Sequence, residues 1–176
     1  EDLNYDHLIL YDHVVGAEHS GRKPALWGPY TDQDPFHEVF TAFAYLAGLT
    51  RRIEFVTGVL VLPQRQTALV AKQAADIDIF SGGRLRLGVG IGWNWVEFDE
   101  LEMGAQYKRR GRREDQQIGL LREFWTKPLV EHTDATHHID RAGITPLPGR
   151  SIPIWLGGFS QAAFERAVRV GDGFLF

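Results

Sequence analysis

Five runs of the chain, at 6–13, 53–62, 85–92, 152–158 and 173–176, are apolar at successive rather than alternate positions, and each run with chain beyond it leads into a segment of helical spacing. A strand that is apolar on both sides must be covered on both sides. Strands of that kind alternating with helices predict an α/β fold built on a parallel sheet, with its ligand-facing end at the carboxyl termini of the strands. The helical segments have their own signals. Asp34-Pro35 offers an N-cap and a first-turn proline, after which Phe36, Val39, Phe40, Phe43 and Ala47 fall on one face until Gly48 and Thr50. A second helix is expected over 67–80, closed by Ser81-Gly82-Gly83, a third over 112–125, and a fourth over 161–170, capped by Gly171. The segment at about 126–150, with a hairpin around His137-His138-Ile139, reads as an insertion into one domain spanning 1–176.

Composition narrows the function. With 176 residues, 44% apolar and 24% charged, the chain has material for a real core. The net charge of −4 argues against a nucleic-acid partner, and the basic cluster 108–113 is followed at once by Glu114 and Asp115. Without cysteine there is no thiolate nucleophile and no cysteine zinc site. No apolar run approaches the roughly 20 residues that cross a bilayer, so no membrane partner is expected and a cytoplasmic protein is the default. His132, His137 and His138 are expected to be loop residues, and no metal ligand set is expected.

Four strand ends carry glycine or polar residues. The strand 6–13 ends in Asp12 and His13; the run 53–62 is interrupted at Thr57-Gly58-Val59, the mark of a bulge or of close backbone approach. The third strand carries Gly88, Gly90 and Gly92 on one face, before Asn94, which suits either a flat ligand or tight packing of a neighbouring layer. Gly157-Gly158-Phe159-Ser160 joins the fourth strand to a helix start, where unpaired N–H groups and the positive end of the helix dipole form an anion seat. A plain strand-to-helix turn with Ser160 as N-cap satisfies that stretch equally well. The long segment 14–34 is rich in Gly and Pro and holds Trp27 and Tyr30.

Taken together, Tyr5 to His13, Thr57 to Arg65, Ala71 to Ala75, Ser81 to Leu85, Leu87 to Trp93, Arg110 to Arg113 and Ile152 to Gly158 resemble, in order, the luciferase-like monooxygenase superfamily of flavin- and coenzyme F420-dependent oxidoreductases. The likeness is greatest to its deazaflavin-dependent branch. It implies a TIM (β/α)8 barrel of the bacterial-luciferase type, commonly dimeric, here a partial barrel lacking the first strand and the C-terminal strands. It also implies that Gly157, Gly158, Phe159, Ser160 and Ala162 hold the cofactor phosphate, and that Thr57, Gly58 and Val59 form a bulge containing a non-prolyl cis peptide. Gly90, Ile91, Gly92 and Asn94 would line the ring or its polyol chain, Asp12 would contact the cofactor, and His13 would be the catalytic proton-transfer group. Where sugar-phosphate dehydrogenases of the family have a glutamate this chain has Trp93, and Glu97 is out of register, so that activity is not carried over.

A complete barrel takes about 250 residues and eight strands. Five are counted here, so weak cofactor binding and little turnover are expected of this chain alone. The function implied is hydride transfer between coenzyme F420 and a small organic substrate. An FMN-dependent monooxygenase activating O2, and a non-catalytic flavin-binding or structural remnant, are the alternatives. A deazaflavin lacks the ring nitrogen that oxygen activation needs, so the two enzymatic readings exclude one another.

Overall fold

The computed structural model describes residues 1–176. In chain order it contains β1 (His7–Leu10), α1 (Val39–Leu49), β2 (Glu54–Thr57), β3 (Leu60–Val61), α2 (Thr67–Ser81), β4 (Leu85–Gly90), α3 (Trp95–Glu100), α4 (Arg110–Thr126), β5 (Val130–Thr133), β6 (His138–Ala142), β7 (Ile154–Gly157), α5 (Gln161–Val170) and β8 (Gly173–Leu175). The main sheet runs β1, β2 with β3, β4, β7, β8, all parallel and in the order of the chain. Sequential order without a reversal is the topology of a barrel and not of a doubly wound sheet. α1 packs on α2, α2 on α4 and α4 on α5, along one side of the sheet. The result is a curled half-barrel, a partial TIM barrel.

Between helices and sheet lies one core of 25 buried residues, to which β2 contributes Phe55, β4 contributes Leu85, Leu87 and Val89, and β7 contributes Ile154 and Leu156. Val130 and Ile144, on either side of the β5–β6 hairpin, join the same core. The alternate residues face the barrel interior. There Glu54 is ion-paired with Arg86, whose guanidinium lies 5.0 Å above the Trp155 ring, a layer drawn from three strands. Burial on both faces holds for β2 and β4, whereas β1 and β7 are half-exposed inside the barrel.

The interruption at residue 58 is a bulge. Phe55 and Val56 pair with Leu85 and Arg86, but Leu60 and Val61 pair with Val89 and Gly90, so three residues of one strand oppose two of the other. All peptide bonds there are trans; the cis bonds are Lys23–Pro24 and Thr145–Pro146. The register shift absorbs the extra residue, which corrects the expected non-prolyl cis peptide.

Two further expectations change. The first helix begins at Val39 with Glu38 as its cap, Oε2 accepting from Thr41 N–H at 2.7 Å. Asp34 instead accepts from Thr31 N–H at 2.8 Å, and the chain through Phe36 stays extended because the Phe36 ring packs on Tyr30 and His13, at 5.0 and 4.9 Å between ring centres. At the other end of the barrel Arg84 donates to the carbonyls of Ala47, Thr50, Ile53 and Ser81, satisfying the ends of α1 and α2 together. Gly82, at φ 70°, supplies the left-handed C-cap of α2.

The contact of α4 with α5 makes a pH-dependent prediction. Burial raises the Glu114 carboxyl from its ordinary 4.5 to about 7, with Arg166 at 3.3 Å opposing the rise and Asp115 adding to it. The folded chain therefore keeps a proton that the unfolded chain releases between about pH 4.5 and 7, and stability falls as pH rises through that window. Glu114→Gln should flatten this slope and raise stability at pH 8 by up to roughly 3 kcal/mol. Urea unfolding at several pH values measures it, and parallel slopes for the two proteins would rule the assignment out.

Candidate functional site

The carboxyl end of the half-barrel gathers the strand ends singled out in the sequence. β1 delivers Asp12 and His13, β2 and β3 the bulge, β4 the segment from Gly90 to Asn94, and β7 the turn from Gly157 to Ala162. They are neighbours because consecutive parallel strands end on one rim. Their side chains, however, divide into two groups.

Asp12 is spent inside the protein. It is 2% exposed, accepts from Val61 N–H at 3.0 Å and pairs with Arg65 at 2.7 Å. Burial pushes its carboxyl up, opposed by the Arg65 guanidinium and the Val61 N–H. Thr57 donates its hydroxyl to the Gly88 carbonyl at 2.6 Å, and the Gly58 N–H is bonded to the Leu10 carbonyl. Asn94 is 3% exposed and caps α3, its Oδ1 accepting from the N–H groups of Val96 and Glu97. The bare glycine face of β4 is also filled: a Cβ on Gly90 would strike Val59 and one on Gly92 would strike Val61, while the Gly157 turn closes on Val59 from the other side. Of the two readings open for these glycines, packing of the neighbouring strand is the one found.

The second group faces outward. Val59 and Ile91 are half-buried at the centre of the rim, and Phe159, Ser160 and Ala162 are exposed. Ser160 Oγ accepts from Ala163 N–H at 3.2 Å, so it is the N-cap of α5. Phe164 N–H is taken by the Ser160 carbonyl, which leaves the N–H groups of Gln161 and Ala162 ahead of the first helical bond. Gly158 makes the turn at φ 142°, and a Cβ there would press on Ala163. The residues present fit a phosphate: an exposed helix start, free N–H donors and no side chain in the way.

His13 occupies the other side of the rim. Its Nδ1 lies 3.1 Å from Glu97 Oε2, and its ring stands edge-on to Tyr30, Phe36 and Trp93 at 5.5, 4.9 and 5.8 Å. Glu97, 1% exposed, also accepts from Val14 N–H at 2.6 Å, Val15 N–H at 3.2 Å and Gln64 Nε2 at 3.2 Å. Burial alone would raise its carboxyl, but His13, the Val14 N–H and Gln64 together hold it below the ordinary carboxylate range. An ionised Glu97 makes His13 Nδ1 the donor and leaves Nε2 as the basic nitrogen. Gln64 Oε1 is buried beside it without a partner.

Glu97, Gln64 and Arg65 were missed as site residues. Asn94-x-x-Glu97 has capping-box spacing, a signal that the acid sits at the start of a helix; nothing in the sequence says that it reaches His13, 84 positions away. Trp93 is also shared with a cleft of about 710 Å³ beside the rim, walled by Trp27, Trp95 and Tyr107 and carrying Lys108 and Arg110. In the β5–β6 turn, His132 and His137 converge on Asp134, whereas His138 turns to Thr133 Oγ1.

Residues 10–176 match the model of the luciferase-like monooxygenase family. An uncharacterised protein of Mycobacterium tuberculosis is 40% identical over 99% of this chain and 61% of its own length. An FMNH2-dependent dimethylsulfone monooxygenase of Pseudomonas fluorescens is 31% identical over 78% of this chain and 38% of its own. The structure of an F420-dependent secondary alcohol dehydrogenase superposes with a TM-score of 0.81 at 16% identity, over 98% of this chain and 49% of the other. The chain thus spans about 40 to 60% of the length of these proteins. No helix is long and apolar enough to cross a membrane.

The buried pair beneath the rim is testable. Arg65→Ala leaves the Asp12 carboxylate without its counter-charge and is expected to cost about 3–5 kcal/mol in urea unfolding, with Arg65→Lys recovering part of the loss. A cost under about 1 kcal/mol would mean that the pair is solvated.

Proposed function

This chain belongs to the luciferase-like monooxygenase family, and on that premise we propose that it forms much of the cofactor rim of an F420-dependent oxidoreductase passing a hydride between the cofactor and a small organic substrate. The His13–Glu97 pair carries this reading: an imidazole with one nitrogen held by a buried carboxylate, on the same rim as a helix start fit for phosphate. When bound, the cofactor would supply a ring that accepts or returns a hydride. Gly157, Gly158, Phe159, Ser160 and Ala162 would bind its phosphate through backbone N–H groups and the dipole of α5. Val59, supported from below by Gly90 and Gly157, would carry the ring with Ile91 and Gly92 beside it, while Thr57, Gly58, Asp12 and Asn94 act from behind by fixing the bulge and α3.

His13 Nε2 would take the hydroxyl proton of the substrate as its C–H hydrogen leaves as hydride. Glu97 keeps Nδ1 protonated and stabilises the imidazolium that results. Tyr30, Phe36 and Trp93 exclude water from the imidazole. The cleft beyond Trp93 supports a small-molecule substrate, since its aromatic walls suit a flat compound and Lys108, Arg110 and Asp99 give it polar handles of both signs. Tyr45 and Leu49 on α1 and Leu69 and Phe80 on α2 are exposed apolar side chains on helices that pack side by side, which supports a homodimer. Sedimentation as a monomer at micromolar concentration would remove that part.

Titration of the protein with F420 and with FMN tests the cofactor, and the absorption spectrum of what stays bound tells a deazaflavin from a flavin. Retention of FMN with oxygen consumption would replace this reading with the monooxygenase. In a catalytically competent form, His13→Ala is expected to lower kcat by about 10²- to 10⁴-fold with cofactor affinity unchanged. Unaltered turnover would remove the role given to His13.

A further inference from the structure

The turn joining β5 to β6 brings two imidazoles onto one carboxylate oxygen. Asp134 Oδ1 is fixed by the turn itself, accepting the N–H groups of Thr136 and His137 at 2.7 and 2.8 Å and the Thr136 hydroxyl at 3.1 Å. Oδ2 faces His132 Nε2 at 3.0 Å and His137 Nδ1 at 3.1 Å, and His137 Nδ1 also lies 3.2 Å from Oδ1 and 2.9 Å from the Thr136 hydroxyl. The three ligand atoms lie within 4.8 Å of one another. Neighbouring donors on one ion with bonds of about 2.0–2.2 Å stand roughly 3.0–3.4 Å apart, so both nitrogen–oxygen edges already have that length.

His137 is held from behind. Its Nε2 is 2.8 Å from the hydroxyl of Thr67, the first residue of α2, and that hydroxyl also accepts from Gln117 Nε2 at 3.1 Å. The Thr67 hydroxyl, able to donate to His137 Nε2 or accept from it, orients the ring in either tautomer. An outer hydrogen bond on the far nitrogen is how ligating histidines are oriented, and here it leaves Nδ1 turned to the Asp134 carboxylate. The side chains of His137 and Asp134 are 8% and 15% exposed and that of His132 is 30%, so the cluster is closed beneath and open on the His132 side. The Arg113 guanidinium, near enough for its charge to feel the Asp134 carboxylate, donates to the carbonyls of Pro63 and Arg65 and makes no hydrogen bond to Asp134.

We propose that His132 Nε2, His137 Nδ1 and the Asp134 carboxylate bind a divalent transition cation of the zinc type, with water completing its coordination, and that the ion pins the β5–β6 turn to the start of α2. Imidazole with carboxylate favours Zn2+ or Co2+ over Mg2+. His138, next to His137 in sequence, is outside the site because its Nδ1 is turned to Thr133 Oγ1.

Calorimetric titration of the 176-residue chain with Zn2+ tests this directly. One ion per chain in the micromolar range is expected, untouched by Mg2+, weakened at least about tenfold in His132→Ala and unchanged in His138→Ala. Absence of binding below millimolar Zn2+, or equal losses in the two variants, would overturn the proposal and leave the imidazoles as N–H donors to Asp134. Should His132→Ala fail to fold, Co2+ added to the unaltered chain decides: an intense visible spectrum of low coordination supports the site, and the spectrum of aqueous Co2+ refutes it.

Discussion

A charge buried at Glu97 has to be matched on every side, and the groups that match it come from two separate parts of the chain. Val14 and Val15 contribute N–H groups from the segment after β1, Gln64 its amide from the turn after β3, and His13 its ring. Removing any one leaves a carboxylate in a site that water does not reach, which costs more than any of the bonds contributes singly. The path of the 14–34 segment across the rim, the orientation of His13 and the placement of α3 therefore rise or fall together. Asp12 with Arg65 does the same work one layer deeper, tying the end of β1 to the turn that follows the bulge.

The bulge links this polar frame to the barrel. One extra residue between Val56 and Leu60 turns Val59 over Gly90 and Gly157, and no side chain on either glycine would leave room for it. The glycines of β4 thus permit a neighbour's side chain to enter, and the surface presented at the rim is Val59, not bare backbone. In a half-barrel with converging inward faces, small residues on one strand and larger ones on the next are a packing requirement before they are a binding device.

Much of the candidate site was legible because its members sit at strand ends, and strand ends are visible as the places where apolar runs stop. His13, the bulge and the turn from Gly157 to Ser160 were found that way, and the superfamily resemblance assigned them roles. Asp12 and Asn94 were found as well, but with their side chains assigned outward; burial at 2% and 3% turned them into supports. Glu97 escaped because its meaning lies in a contact across 84 positions. His132, Asp134 and His137 lie within six consecutive positions, and the letters did not show that the turn aims all three at one place.

The sequence by itself determined that this is a parallel βα chain of the luciferase-like kind, because apolar runs, glycine turns and helical spacing are local and each follows from the residues on either side of it. It also determined which end of the sheet carries the polar residues. The tertiary structure alone decided which polar atoms face one another across the rim and which are used up inside, since burial and pairing depend on segments distant along the chain. Whether Phe36 begins a helix or packs on a histidine was decided in the same way. Its ring packs against His13 and Tyr30, and the helix starts three residues later at Val39.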